Sequence, residues 1–135
     1  MKSYVLDSYA VLTYFQNEAG AEQVEKLLAD AETGDVNLFL SAVNLGETAY
    51  ITQRKAGVEG KRSLLLAIEA LPIRIKEVTK EQALNAAEIK AQCAIAFADC
   101  FAIALARSLE APVVTGDPEF KKAASLVIVD WLPHK

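Results

Sequence analysis

Histidine occurs once in this chain, at His134 near the carboxyl terminus beside Pro133, and cysteine only twice, at Cys93 and Cys100. A lone tail histidine leaves little for a mechanism built on an imidazole base, and nothing else has the ligand spacing of a zinc site. The two cysteines lie close enough to share a helix face, and buried free thiols in a reducing cytosol are the simpler reading of them. Long apolar runs are also missing: each is interrupted well short of the roughly 18 to 20 residues that span a bilayer, so no membrane segment is expected. The opening MKSYVLDSYAVLTYF meets Asp7 after three apolar residues and has no small-residue cleavage site. It reads as a first strand and not a signal peptide, which points to a cytoplasmic protein. Basic charge is not in excess either, with 14 Lys and Arg against 18 Asp and Glu. A net charge of −4 taken alone argues against nucleic acid as a partner. Yet if four acidic side chains form a metal site, the 14 that remain equal the 14 basic ones, and local basic patches decide.

What is present is a well-patterned globular chain of 135 residues, 53% hydrophobic and 24% charged, the length of one domain spanning 1–135. No repeat, linker or low-complexity stretch divides it. Short β-branched and aliphatic runs alternate with longer helical ones. SYVL (3–6) predicts the first strand, and helical spacing follows from Ser8 to Gln16 and from Ala21 to Ala31, ending at Gly34. VNLFLSA (36–42) predicts a second strand, leading into a helix that stops at Gly57 and another from Glu59 to Ala70, halted by Pro72. IRIKEV (73–78) alternates like an edge strand, and Thr79 opens a helix to about Cys93. A further helix then runs to Glu110, VVT (113–115) reads as a buried strand, Asp117 and Pro118 start a short helix, and LVIV (126–129) closes the series. Five strands separated by helices predict a three-layer α/β/α sandwich around a central, mainly parallel sheet.

Within CAIAFADCFAIALA (93–106) a single carboxylate, Asp99, interrupts an apolar stretch. Removed from water unpaired, it would cost several kcal/mol, so it must be protonated, paired, capping a helix or holding a cation. Ligands of open parallel sheets sit beyond the carboxyl ends of the strands, where strand order reverses. Asp7 directly follows the first strand, Asp117 follows VVT, Asp99 begins the helix leading into VVT, and Glu47 lies one or two turns into the helix after the second strand. Asp7, Asp99 and Asp117 each suit an N-cap, and Glu47 suits a solvated helix face. Capping explains each residue separately but not their convergence on one end of the sheet. Four neighbouring carboxylates repel unless a divalent cation neutralises them, and an all-oxygen donor set selects Mg²⁺ or Mn²⁺ over zinc.

VLDSYAVL around Asp7, NLGETAY around Glu47, FADCFAIALA around Asp99 and VVTGDPEF around Asp117, in this order and spacing, resemble the PIN domain. The length resembles that of its VapC-type toxins. The resemblance implies a PIN-like fold and a Mg²⁺- or Mn²⁺-dependent endoribonuclease with Asp7, Glu47, Asp99 and Asp117 at the acidic, metal-binding positions and Thr115 beside the last of them. In such a site the cations orient a water for in-line attack on a phosphodiester and stabilise the departing oxygen, without a histidine base. The resemblance also implies a homodimer and a small antitoxin partner, with Val11, Leu12, Tyr14, Phe15, Leu64, Leu65 and Leu66 as groove, dimer or core material.

For the RNA substrate, Arg54, Lys55, Lys61 and Arg62 around the Gly57–Gly60 turn, and Lys121 and Lys122 past Asp117, are the candidate phosphate contacts; otherwise they are solvated surface charges. Two other catalytic classes fit less well. A haloacid-dehalogenase-type phosphatase expects an aspartate where this chain has Tyr9, and a phospho-receiver expects a lysine where Asp130 and Trp131 stand. The alternative outside catalysis is a PIN-like module that binds RNA or protein without cutting, for which four retained carboxylates have no chemical use.

Overall fold

The computed structural model describes residues 2–133, so His134 lies outside the described residues. Strands β1 (Lys2–Leu6), β2 (Val36–Ser41), β3 (Ile73–Lys76), β4 (Val113–Thr115) and β5 (Val129–Trp131) form one sheet in the order β3-β2-β1-β4-β5. Every neighbouring pair is parallel. Helices α1 (Ser8–Phe15), α2 (Ala21–Glu32), α3 (Ala42–Glu69), α4 (Lys80–Gln92) and α5 (Phe97–Leu109) connect them, with a 3₁₀ helix (Pro118–Ala123) between β4 and β5.

Alternation along the strands assigns each side chain to a layer. Val5, Phe39 and Val113 face Ala86 and Ile89 of α4 and Ile103 of α5. The intervening Leu6, Leu38, Leu40 and Val114 face Val11 of α1, Val24 and Leu28 of α2, and Leu64 and Ile68 of α3. The predicted α/β/α sandwich is therefore what forms. Burying each such side chain is worth about 1.5–3 kcal/mol, and a one-residue slip in register would turn all of them to the wrong layer. Helix α5 is buried continuously from Cys100 to Ala106, where its alanines let it lie close to the sheet. No single helix among the described residues is long and apolar enough to cross a membrane.

The expected break at Gly57 is real: its φ of +74° and ψ of −176° divide α3 into two segments. Such a conformation strains any residue with a Cβ. Two expectations are corrected. The last strand is Val129–Trp131 and not 126–129, because the N–H groups of Leu126 and Val127 both turn back to the carbonyl of Ala123. These two side chains pack on the core without pairing, so their apolar pattern imitates a strand. The short helix expected after Asp117 forms as a 3₁₀ helix, Pro118–Ala123. The cysteines do not share a helix face, since Cys93 is extended at the end of α4 and Cys100 lies inside α5. Both are free and buried, and burial pushes the Cys100 thiol upward, away from thiolate chemistry.

Candidate active site

From β1 the chain steps outward to β2 and β3, then crosses back to place β4 on the other side of β1. The strand order reverses between β1 and β4, which opens a crevice at their carboxyl ends. Asp7 follows β1 directly, Thr115 is the last residue of β4, and Asp117 stands two residues beyond.

Asp7 is 1% exposed, and its Oδ1 accepts the Ala10 N–H at 2.8 Å, capping α1. Asp117 caps the 3₁₀ helix by accepting the Glu119 N–H at 3.0 Å through its own Oδ1, with Pro118 at the first helical position. Each cap engages one carboxylate oxygen, Oδ1 in both cases. The Thr115 hydroxyl accepts the Asp117 N–H at 3.0 Å and hydrogen-bonds with the Asp7 carboxylate. It thus links the two aspartates.

Asp99 does not cap its helix. Helix α5 begins at Phe97 behind Ala96, whose side chain makes no capping bond, and Asp99 sits in the first turn. There the helix dipole favours its charge but provides no partner. Burial, followed by the charges of Asp117, Glu47 and Glu119, lifts its carboxyl to about 7. Burial likewise lifts Asp7 to about 8, opposed by the bonds from Thr115 and Ala10 and assisted by the charges of Asp99 and Asp117. Asp7, Glu47, Asp99 and Asp117 therefore lie within one electrostatic neighbourhood. As the side chains are placed, no three carboxylate, thiol or imidazole groups among the described residues are close enough to share an ion. The two capped carboxylates are held by their helices, and mutual repulsion favours separation of the rest.

A second set of polar residues escaped the sequence reasoning. Asn44, fully buried in the first turn of α3, donates from Nδ2 to the Ala98 carbonyl at 3.1 Å. Its backbone carbonyl accepts the hydroxyls of Ser8 at 3.2 Å and Thr48 at 2.8 Å, while its Oδ1 has no partner among the described residues. One residue thereby ties together the segments that carry Asp7, Glu47 and Asp99. The signal was an asparagine at a core-facing helical position three residues before Glu47. Asn44→Ala removes the bond that joins α3 to α5 and opens a cavity, while also removing a buried Oδ1 that has no partner among the described residues. It is expected to cost about 2–3 kcal/mol in thermal or denaturant unfolding.

Gly116 between Thr115 and Asp117 has a steric role. A Cβ there would stand 2.6 Å from Cε1 of Tyr9, whose half-buried ring fills that space. Gly116→Ala must displace the ring or the turn bearing Asp117, with an expected loss of about 1–3 kcal/mol in unfolding measurements.

A sequence profile of the PIN domain matches residues 4–126. The chain belongs to the PIN domain family. Its backbone is also similar to solved structures along nearly the whole length. VapC20 of Mycobacterium tuberculosis, a toxin that cleaves the sarcin–ricin loop, is 21% identical with a TM-score of 0.72, over 96% of this chain and 99% of that one. A chain of VapBC2 from Rickettsia felis, bound to promoter DNA, is 17% identical with a TM-score of 0.76, over 97% and 99%. A chain of VapBC-1 from nontypeable Haemophilus influenzae is 22% identical with a TM-score of 0.68, over 96% and 98%. No curated protein sequence matches significantly. At these identities the structures share the fold of this PIN domain.

The cationic residues of this PIN domain are spread over several environments. Arg54 lies over the Tyr50 ring, 5.1 Å from its centroid, while Lys55 lines a separate groove with Leu12, Phe15 and Leu64. Arg62 pairs with Glu59 at 3.0 Å, and Lys122 with Glu119 at 3.1 Å. Lys61 is half-buried and Lys121 exposed. Of the apolar residues named from the sequence, Val11 and Leu64 are core, whereas Leu66 is 61% exposed.

Proposed function

We propose that this chain is a divalent-cation-dependent endoribonuclease, the toxin of a toxin–antitoxin pair. The observation that carries the reading is that Asp7 and Asp99, at the reversal point of the sheet, are raised to about 8 and about 7 by burial first and by the charges of neighbouring carboxylates second. Carboxyl groups raised in this way cluster at functional sites.

The donor set suits a hard cation. It consists of carboxylate oxygens, and the Cys100 thiol is fully buried in α5. Mg²⁺ keeps several waters and takes one or two carboxylates, so a site need not present three ligands in contact. Asp7, Glu47, Asp99 and Asp117 would hold Mg²⁺ or Mn²⁺, and the ion would neutralise the phosphodiester and supply a nucleophilic water. The chain's own residues do the positioning. The caps fix Asp7 and Asp117 on rigid helix starts, Thr115 holds them in register, and Asn44 holds α3 against α5. Burial of Asp7 excludes water from one side and makes proton loss the step that readies the site for a cation.

The similar VapBC structures support an antitoxin partner. The groove of about 390 Å³ lined by Leu12, Phe15, Ala56 and Leu64 offers apolar surface for it or for a second copy of the chain. Incubation of the purified protein with mixed RNA tests the reading. Cleavage is expected with Mn²⁺ or Mg²⁺ and not with EDTA, and cleavage undiminished by EDTA would overturn the cation-dependent site.

A further inference from the structure

Glu47 shares a stripe of α3 with Tyr50 and Arg54, three and seven residues further on. At 1.5 Å per residue these positions lie about 4.5 and 10 Å along the axis from Glu47, on the same side of the helix. The Tyr50 side chain is 48% exposed. The Arg54 guanidinium lies over its ring at 5.1 Å from the centroid, and with Gln53 these two residues line an open hollow. Arg54 has no carboxylate partner among the described residues, unlike Arg62 and Lys122. Another exposed aromatic close in sequence to the carboxylates, Phe97, is already packed edge-on against Phe101 at 4.9 Å.

We propose that Tyr50, Gln53 and Arg54 form a nucleobase subsite that stacks one unpaired base of the RNA next to the scissile phosphate. The inference rests on the ribonuclease reading and adds how the substrate is held. An exposed aromatic ring provides a stacking surface for any base, and an arginine plane extends it while attracting the backbone. Gln53 offers both a donor and an acceptor to the base edge. The placement also answers an electrostatic problem. Four carboxylates repel an approaching phosphate, and an unpaired cation on the same helix face counters that repulsion where the strand enters. A ring that must stack on a base requires that base to be unpaired, so the subsite selects single-stranded segments and loops over duplex.

The test uses short single-stranded RNA substrates, with an abasic nucleotide placed in turn at each position flanking the cleavage point. For the wild type, one abasic position is expected to raise KM about tenfold with kcat changed less than twofold. Tyr50→Ala should raise KM to the same degree on the intact substrate and become insensitive to that abasic position, while Tyr50→Phe and Tyr50→Trp restore both behaviours. Because the ring is half exposed, the Tm of Tyr50→Ala should stay close to that of the wild type. Arg54→Met should raise KM and flatten its salt dependence, whereas Arg54→Lys should keep the salt dependence and lose part of the stacking gain. If the wild type cleaves and Tyr50→Ala remains as sensitive as the wild type to every abasic position, the subsite is wrong and the nuclease stands. If Tyr50→Ala leaves KM unchanged but alters the oligomeric state in light scattering, the surface is a protein interface and the subsite is again overturned. If the wild type cleaves no RNA, the ribonuclease reading fails and takes the subsite with it.

Discussion

Asp99→Asn is expected to abolish RNA cleavage and, in the absence of divalent cations, to make the protein more stable at pH 8. The loss of activity should be about 10²-fold or more, the scale set by removing one electrostatic contact with a transition state. The gain in stability has a separate cause. Burial and the charges of Asp117 and Glu47 hold the Asp99 carboxyl at about 7, so at pH 8 the folded protein carries an ionised group its surroundings disfavour. A neutral amide of the same shape removes that cost. Asp99 is partly exposed, and solvent screening reduces the gain to about 1 kcal/mol, or roughly 3–5 °C in Tm. Activity and melting assays on one preparation check both parts. A variant that lost activity and also melted lower in EDTA at pH 8 would mean that Asp99 is structural.

The second large effect is a reversal of the pH dependence by cations. Asp7 and Asp99 have folded-state values of about 8 and about 7, above the ordinary 3.8. The folded protein therefore binds more protons than the unfolded chain. Their stabilising contribution is complete below about pH 4 and is lost as pH rises through 7 to 8. In EDTA the wild type should match Asp99→Asn below about pH 4 and melt increasingly below it as pH rises to 8. Millimolar Mg²⁺ or Mn²⁺ competes with the protons. At about 100 times its dissociation constant it should add about 2.7 kcal/mol to the wild type, most strongly at high pH, and much less to Asp99→Asn. Melting curves across pH, with and without cation, decide it; an equal cation shift in both proteins would move the ligands elsewhere.

Much of this was readable from residue order. The short β-branched and aliphatic runs SYVL and VNLFLSA placed β1 and β2, Thr79 marked the start of α4, and Gly57 marked the break in α3. These signals are local, and tertiary packing reinforces them. LVIV failed because apolar runs report burial and not hydrogen bonding, and the donors of Leu126 and Val127 were already taken by the preceding turn. Cys93 and Cys100 were separated because Ala94 and Ala96 lie in the connection between α4 and α5, which no periodic pattern reveals. At the site, the aspartates that follow strands were legible because strand ends define the crevice. The capping role allowed to Asp99 was not borne out, since α5 starts two residues earlier. Asn44 was marked only as an asparagine at a core-facing helical position, and its partner Ala98, 54 positions away, is not legible in local sequence.

Mn²⁺ scatters anomalously and can be located without reference to any assay. Crystals soaked in Mn²⁺ above pH 8, where Asp7 and Asp99 are expected to ionise, should show an anomalous peak in the crevice between β1 and β4, bound by carboxylate oxygens from among Asp7, Glu47, Asp99 and Asp117. The same soak of Asp99→Asn crystals should weaken or remove it. A peak held only by other carboxylates, or a crevice empty in the wild type at saturating Mn²⁺, would contradict the assignment of these four residues as the cation site.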